Sequence, residues 1–256
     1  MCTAIIDLAP GEPVLLAGVR DEFADRAWQP PERHWPDHPG LTGGRDLLAG
    51  GTWLAVAPEA GKVTCILNGR GRLAPAATRR SRGVLPLLVA DEGKLNRVGL
   101  DDFDPFHLIS AEPAAATLWS WDGERLTEQE LGPGLHVVVN SGLDSDLPSR
   151  DPRDHELARL AHFVPRLRDA ARPRPRPGSP VAQAWGAWLP LINGDGLDPA
   201  DLRALVVRRE LDGRIWGTTS ISLVAMGPGL WPDTMRYDFT AAPGDSGAWY
   251  EVPLSG

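Results

Sequence analysis

Two apolar runs of strand length, CTAIIDLA and PVLLAGVR, stand on either side of the short turn PGEP near the start of the chain. Proline and glycine between such runs punctuate the backbone, and the pattern is that of an antiparallel hairpin. It recurs where TWLAVA and KVTCILN flank PEAG. A chain that opens on two hairpins has to cover their apolar faces with later segments, which points to layers.

The later segments supply those layers. SRGVLPLLVADEG reads as a helix with an internal proline, and DHELARLAHFVPRLRDAA is the best helix, with Leu157, Leu160, Ala161, Val164 and Leu167 at helical spacing. HLISAE, ATLWSW, RLTEQEL and LHVVVN read as a meander of short strands, with WDGE as one tight turn. WQPPERHWPDHPG is too rich in proline and tryptophan for regular structure, and RPRPRPGSP, residues 172–180, reads as an extended, solvated linker. VAQAWGAWLPLI and DLRALVVRRE are helical stretches, and RIWGTTSISLVAMG, TMRYDFTA and GAWYEVP return to strand. The fold class expected is α+β, with helices over sheet faces, in a single domain spanning residues 1–256.

Bulk properties exclude several functions. The formal charge of −8 disfavours nucleic acid as a partner, because phosphate binding needs a basic face. No apolar run approaches the roughly 18 residues of a membrane span. The start carries Asp7 and no basic segment, so no secretory signal is expected, and two cysteines make no disulfide framework. The setting expected is reducing and cytoplasmic.

Cys2 leaves two readings open. Termini tolerate almost any residue, so its place can be chance. Alternatively Met1 is removed, and the thiol then shares its carbon with a free α-amine that titrates near neutral pH and serves as a built-in base. The hairpin supports the second reading, since its open end brings Arg20 and Asp21 beside Cys2. Asp21 then holds the ammonium or orients the thiol, and Arg20 lowers the thiol pKa or binds a carboxylate. Asn68 and Asn140 each end a strand, where an amide can donate to an oxyanion. Arg–Asp neighbours are nevertheless commonest as surface ion pairs, and strand-end asparagines commonest in turns.

The stretches LLAGVRDEFADR, LTGGRDLLAGGTWLAV, VTCILNGR, SRG, LHVVVNSGLD and WGTTSIS, in this order, resemble the NRDE family, which includes the transport-and-Golgi-organisation proteins of eukaryotes. The resemblance is close to about residue 150 and looser beyond. It implies an N-terminal-nucleophile hydrolase-like fold, a four-layer αββα sandwich of antiparallel sheets, with Cys2 first in the mature chain. A more distant resemblance runs to choloylglycine hydrolase and penicillin V acylase, which cleave amides with an N-terminal cysteine. Carried over by position, Cys2 matches the nucleophile, Arg20 and Asp21 its flanking pair, and Asn68 and Asn140 the two asparagines. Arg236 stands where a late arginine is expected. Two positions depart from the pattern: Val19 replaces the asparagine before Arg20, and Thr219 replaces an arginine in WGTTS.

Other constellations carry less. His34 and His38 lack a third ligand, so no metal is expected, and GGRDLLAGG has no nucleotide-binding spacing, so no cofactor is expected. His107 and His136 read as satisfied histidines, and Cys65 as a small buried hydrophobe. Trp28, Trp35, Trp53, Trp185 and Trp188 either line an apolar pocket or pack the core. The sequence therefore supports a hydrolase that cleaves or transfers an acyl group from a non-peptide amide through a Cys2 acyl-enzyme. The alternative is a non-catalytic binder of a lipid-like or haem-like ligand on the same fold.

Overall fold

In the computed structural model, residues 2–95, 99–113, 115–147, 154–227 and 235–254 are described. The strands are β1 (Thr3–Leu8), β2 (Val14–Phe23), β3 (Trp28–Glu32), β4 (Thr42–Asp46), β5 (Leu54–Ala57), β6 (Lys62–Asn68), β7 (Phe106–Glu112), β8 (Ala115–Trp121), β9 (Leu126–Leu131), β10 (Gly134–Val139), β11 (Gly142–Leu143), β12 (Arg208–Leu211), β13 (Arg214–Met226), β14 (Met235–Thr240) and β15 (Tyr250–Glu251). The helices are α1 (Leu85–Glu92), α2 (His155–Asp169), α3 (Val181–Trp185) and α4 (Trp188–Ile192).

Both hairpins form. β1 pairs antiparallel with β2, and β5 with β6. They belong to different sheets: one of eight strands, ordered β11-β10-β1-β2-β13-β14-β15 with β12 beside β13, and one of seven, ordered β3 to β9. Ala4, Ile6, Val14 and Leu16 meet Leu54, Val56, Cys65 and Leu67 between the sheets. Ile5, Leu15, Ala17 and Val19 face the other way, onto Phe163, Trp185 and Trp188 of α2 to α4. The outer face of the seven-stranded sheet is covered by α1, through Leu85, Leu87, Val89 and Ala90. Four layers result, α-β-β-α, and β1 and β2 read as continuous apolar runs because both faces of their sheet are buried.

The structure corrects several expectations. WQPPE is an edge strand, where prolines remove no ladder donor that a neighbour needs. LHVVVN leaves the meander to pair with β1 in the other sheet. Pro86 stands in the first turn of α1, where a missing N–H costs nothing. VAQAWGAWLPLI is two short helices broken at Gly186, whose φ of 46° ends the first. DLRALVVRRE is turns followed by β12. Segment 172–180 is docked: Arg172 binds Asp7 and the Pro13 carbonyl, and Gly178 N–H donates to Glu251.

Candidate active site

The register of the first hairpin sets the site. Thr3 pairs with Val19 on one side and with Val139 on the other. Cys2, one residue earlier, therefore lies between the Arg20–Asp21 pair of β2 and Asn140 at the end of β10. Its thiol is 3.8 Å from the Asp21 carbonyl oxygen. Its backbone N–H donates to Asn140 Oδ1 at 2.9 Å, and Asn140 Nδ2 donates to the Asn68 carbonyl at 2.7 Å. His107 holds the same turn through the Asn140 carbonyl at 3.2 Å and is itself fixed by Ser120.

Arg20 and Asp21 point to opposite faces of the sheet, as neighbours on a strand do. Arg20 enters the space between the sheets, 5% exposed. Its guanidinium lies 4.4 Å from the Trp53 ring centroid and 5.9 Å from that of Trp28, donates to Thr219 Oγ1 at 2.7 Å, and meets Asp46 at 3.6 Å. Trp53 is held there by close packing on Gly44, where a β-carbon would run into its ring. Asp21 turns toward the helices and accepts from Thr218 Oγ1 at 2.7 Å. A shift of register between Thr218 and Ser220 opposite Arg20 and Asp21 marks an irregularity in β13, and it lets adjacent threonines serve adjacent β2 residues. Thr219 thus holds Arg20, and Val19 packs on the helix side, away from Arg20.

Two further groups come from α2. Arg159, 2% exposed, stands 3.8 Å from Asp21 and donates to Thr3 Oγ1 and to the Ala204 carbonyl. Glu156, one turn earlier and 1% exposed, accepts from the Ser141 N–H and hydroxyl and from Arg70. These two side chains fix the residues on either side of Cys2. In the sequence they looked like the polar face of an amphipathic helix; their i, i+3 spacing was the available signal. Arg82 was likewise passed over within SRG, although its Nη1 donates to the Pro105 carbonyl at the same end of the sheet.

Burial dominates the electrostatics. It pushes the Cys2 thiol above the ordinary range, against the pull of Arg20. Burial also raises the Asp21 carboxyl, opposed first by Arg159, and lowers Arg159, opposed by Asp21. The site thus brings together Cys2, Arg20, Asp21 and Asn140. Asn68 enters through its carbonyl, while the residue itself is exposed. Arg236 does not join them. It pairs in register with Ala225, which pairs with Leu15, far along β2 from Arg20, and it binds Asp238, Ser179 and the Arg176 carbonyl. A charged group buried that deeply needs partners, and Arg236 meets its own by anchoring segment 172–180.

Among the described residues no cluster of three or more His, Cys, Asp or Glu is placed to hold a metal ion, and no helix is long and apolar enough to cross a membrane. Cys2 and Cys65 are free thiols. Cavities of about 340 Å³ lie elsewhere, one over Ser110, Trp119 and Glu128, the other beside Leu73 and Phe103.

Comparison with known proteins agrees with this architecture. The crystal structure of the C2A mutant of conjugated bile acid hydrolase from Clostridium perfringens superposes with a TM-score of 0.51 at 12% identity, covering 100% of this chain and 94% of that one. At that identity the likeness bears on the fold, and it agrees with the four-layer hydrolase-like sandwich expected from the sequence. No curated protein matches the sequence. The family model described as Transport and Golgi organisation 2 matches residues 1–164, and the chain belongs to that family.

Proposed function

We propose that this protein, once Met1 is removed, is an N-terminal cysteine hydrolase that cleaves or transfers an acyl group from a non-peptide amide. Met1 itself lies outside the described residues. The observation that carries the reading is the 2.9 Å contact between the Cys2 nitrogen and Asn140 Oδ1, on the same residue as the thiol. Loss of Met1 turns that nitrogen into an amine, held in place by an acceptor and next to Asp21. Burial keeps the thiol protonated, so a base beside it is what the site needs.

In the reaction the amine takes the thiol proton and the sulfur forms a bond to the carbonyl carbon. An amide nitrogen carries two N–H donors. One on Asn140 is committed to the Asn68 carbonyl, and the other is available for the oxyanion. The amine returns its proton to the leaving nitrogen as the C–N bond breaks. Water, or an acceptor amine, then attacks the thioester and releases the acyl group. Asp21 with Arg159, and Arg20 with Thr219, hold the two sides of Cys2 in register. We infer a reducing, cytoplasmic setting for this chemistry, in which both thiols stay free.

The test is intact mass after incubation with a panel of acyl p-nitroanilides. Met1-free protein should gain the acyl mass on Cys2, and Cys2→Ser should turn over none of the panel. The Trp28–Trp53 wall supports a second reading, a carrier for a lipid-like or haem-like ligand. On that reading Cys2→Ala keeps full ligand affinity, and no acyl-enzyme forms at any pH.

A further inference from the structure

Around Cys2 most of the described arginines face a carboxylate. Arg20 and Arg26 share Asp46, Arg26 also meets Glu22, Arg159 has Asp21, Arg70 has Glu156, and Arg79 has Asp104. Arg82 meets no carboxylate within ion-pair distance among the described residues. Its hydrogen bond, from Nη1 to the Pro105 carbonyl at 2.8 Å, occupies one donor of a guanidinium that has five.

Hydrogen bonds place Arg82 near the Cys2 end of the sheets. The Pro105 carbonyl that it binds also accepts from Gly69 N–H at 2.8 Å, next to Asn68, whose own carbonyl holds Asn140. On its other side, the Gly83 carbonyl accepts from Thr52 N–H at 2.8 Å, beside Trp53. Gly51 packs so closely on Gly83 that a β-carbon there would strike its backbone. The half-buried Arg82 therefore lies between the Thr52–Trp53 segment and the Asn68–Gly69 segment, whose Asn68 carbonyl holds Asn140. Burial lowers its pKa, opposed first by the charge of Asp104 and then by that of Cys2.

We propose that Arg82 is the specificity residue of this site and binds a monoanionic group, a carboxylate, carried by the substrate near the bond that Cys2 attacks. The inference rests on the reading of Cys2 as the nucleophile and adds the substrate class. A guanidinium with free, coplanar N–H groups fits a carboxylate better than an ammonium does.

The experiment compares two alkylating reagents of nearly equal size, iodoacetate and iodoacetamide, on the Met1-free chain. In both, the Cys2 sulfur forms a bond to the methylene carbon and iodide leaves with the C–I electron pair. The rate ratio of anion to neutral reagent, divided by that of free cysteine, should exceed one by about tenfold, the low end for a charge-assisted hydrogen bond at a half-buried group. Arg82→Gln should bring it to about one, and Arg82→Lys, which keeps the charge, should retain part of it. Arg174→Gln removes the same charge from an exposed pair with Glu12 and should leave the ratio in place. A wild-type ratio equal to that of free cysteine overturns the proposal, as does an equal loss in Arg174→Gln.

Should Cys2 resist both reagents, calorimetric titration of the Cys2→Ala chain with phenylacetate and phenylacetamide decides. A preference for the anion that Arg82→Gln abolishes upholds the anion site while the hydrolase reading falls. No preference overturns the anion site itself.

Discussion

Replacing Arg159 with methionine keeps the stem of the side chain and removes the guanidinium that faces Asp21 at 3.8 Å, Thr3 Oγ1 at 2.8 Å and the Ala204 carbonyl at 2.9 Å. Breaking a buried ion pair from one side costs about 3–5 kcal/mol, because the remaining charge stays buried without its partner. Asp21 keeps the Thr218 hydroxyl, so the lower end, about 3 kcal/mol, is expected. The loss has a pH signature. Burial already raises the Asp21 carboxyl, and Arg159 is the first group opposing that rise. Without Arg159 the folded-state value climbs further above the unfolded one. A carboxyl raised in this way favours the fold below its unfolded value, about 3.9, and that contribution is lost as pH rises through the folded value. The deficit of Arg159→Met against wild type should therefore be smaller at pH 5 than at pH 8. Urea unfolding at both values measures it, and adding Asp21→Asn should recover more than half. A deficit under about 0.5 kcal/mol, or no recovery in the double variant, refutes the coupling.

Other variants test the neighbouring contacts. Asn140→Ala strips the Cys2 nitrogen and the Asn68 carbonyl of one partner each, and should cost about 1–3 kcal/mol in urea unfolding and slow Cys2 alkylation. In chain that retains Met1, burial raises the thiol, so alkylation of Cys2 should reach half its maximal rate above the pH at which free cysteine does. Gly44→Ala should push Trp53 off its seat under Arg20, cost about 1–3 kcal/mol and shift tryptophan emission. Arg236→Met should lower stability by about 3 kcal/mol without changing the Cys2 alkylation ratio, because its partners are Asp238 and segment 172–180.

What the sequence revealed and what it hid follow from distance along the chain. Turn residues and apolar runs are local, so both hairpins could be read directly, and the open end of the first placed Arg20 and Asp21 beside Cys2. Asn140 was legible as a strand-end amide and by its place in the family pattern, but the pairing of its strand with β1 was not, because LHVVVN reads as part of the meander. The helix residues Arg159 and Glu156 were not, since their partners lie well over a hundred and only fifteen residues away respectively, and neither separation shows in a periodicity. The prolines of segment 172–180 forbid helix, as read, yet they say nothing of the buried arginine that would receive its carbonyls. Asn68 was identified for its side chain, whereas its carbonyl makes the contact; at a strand end the last ladder position decides which group faces inward.

The pairing of β2 with β13 has a consequence for synthesis. Phe23 meets Trp216 and Val14 meets Met226, so the first hairpin waits for nearly the whole chain before its second edge is covered. At ribosomal rates of about 5–20 residues per second, that wait is about 10–40 s. Throughout it, a strand apolar on both faces presents an open ladder to anything nearby, which is the condition for aggregation between nascent copies. Ribosome-bound chains stopped before Arg214 should accordingly hold a holdase chaperone, and chains stopped after Glu251 should release it.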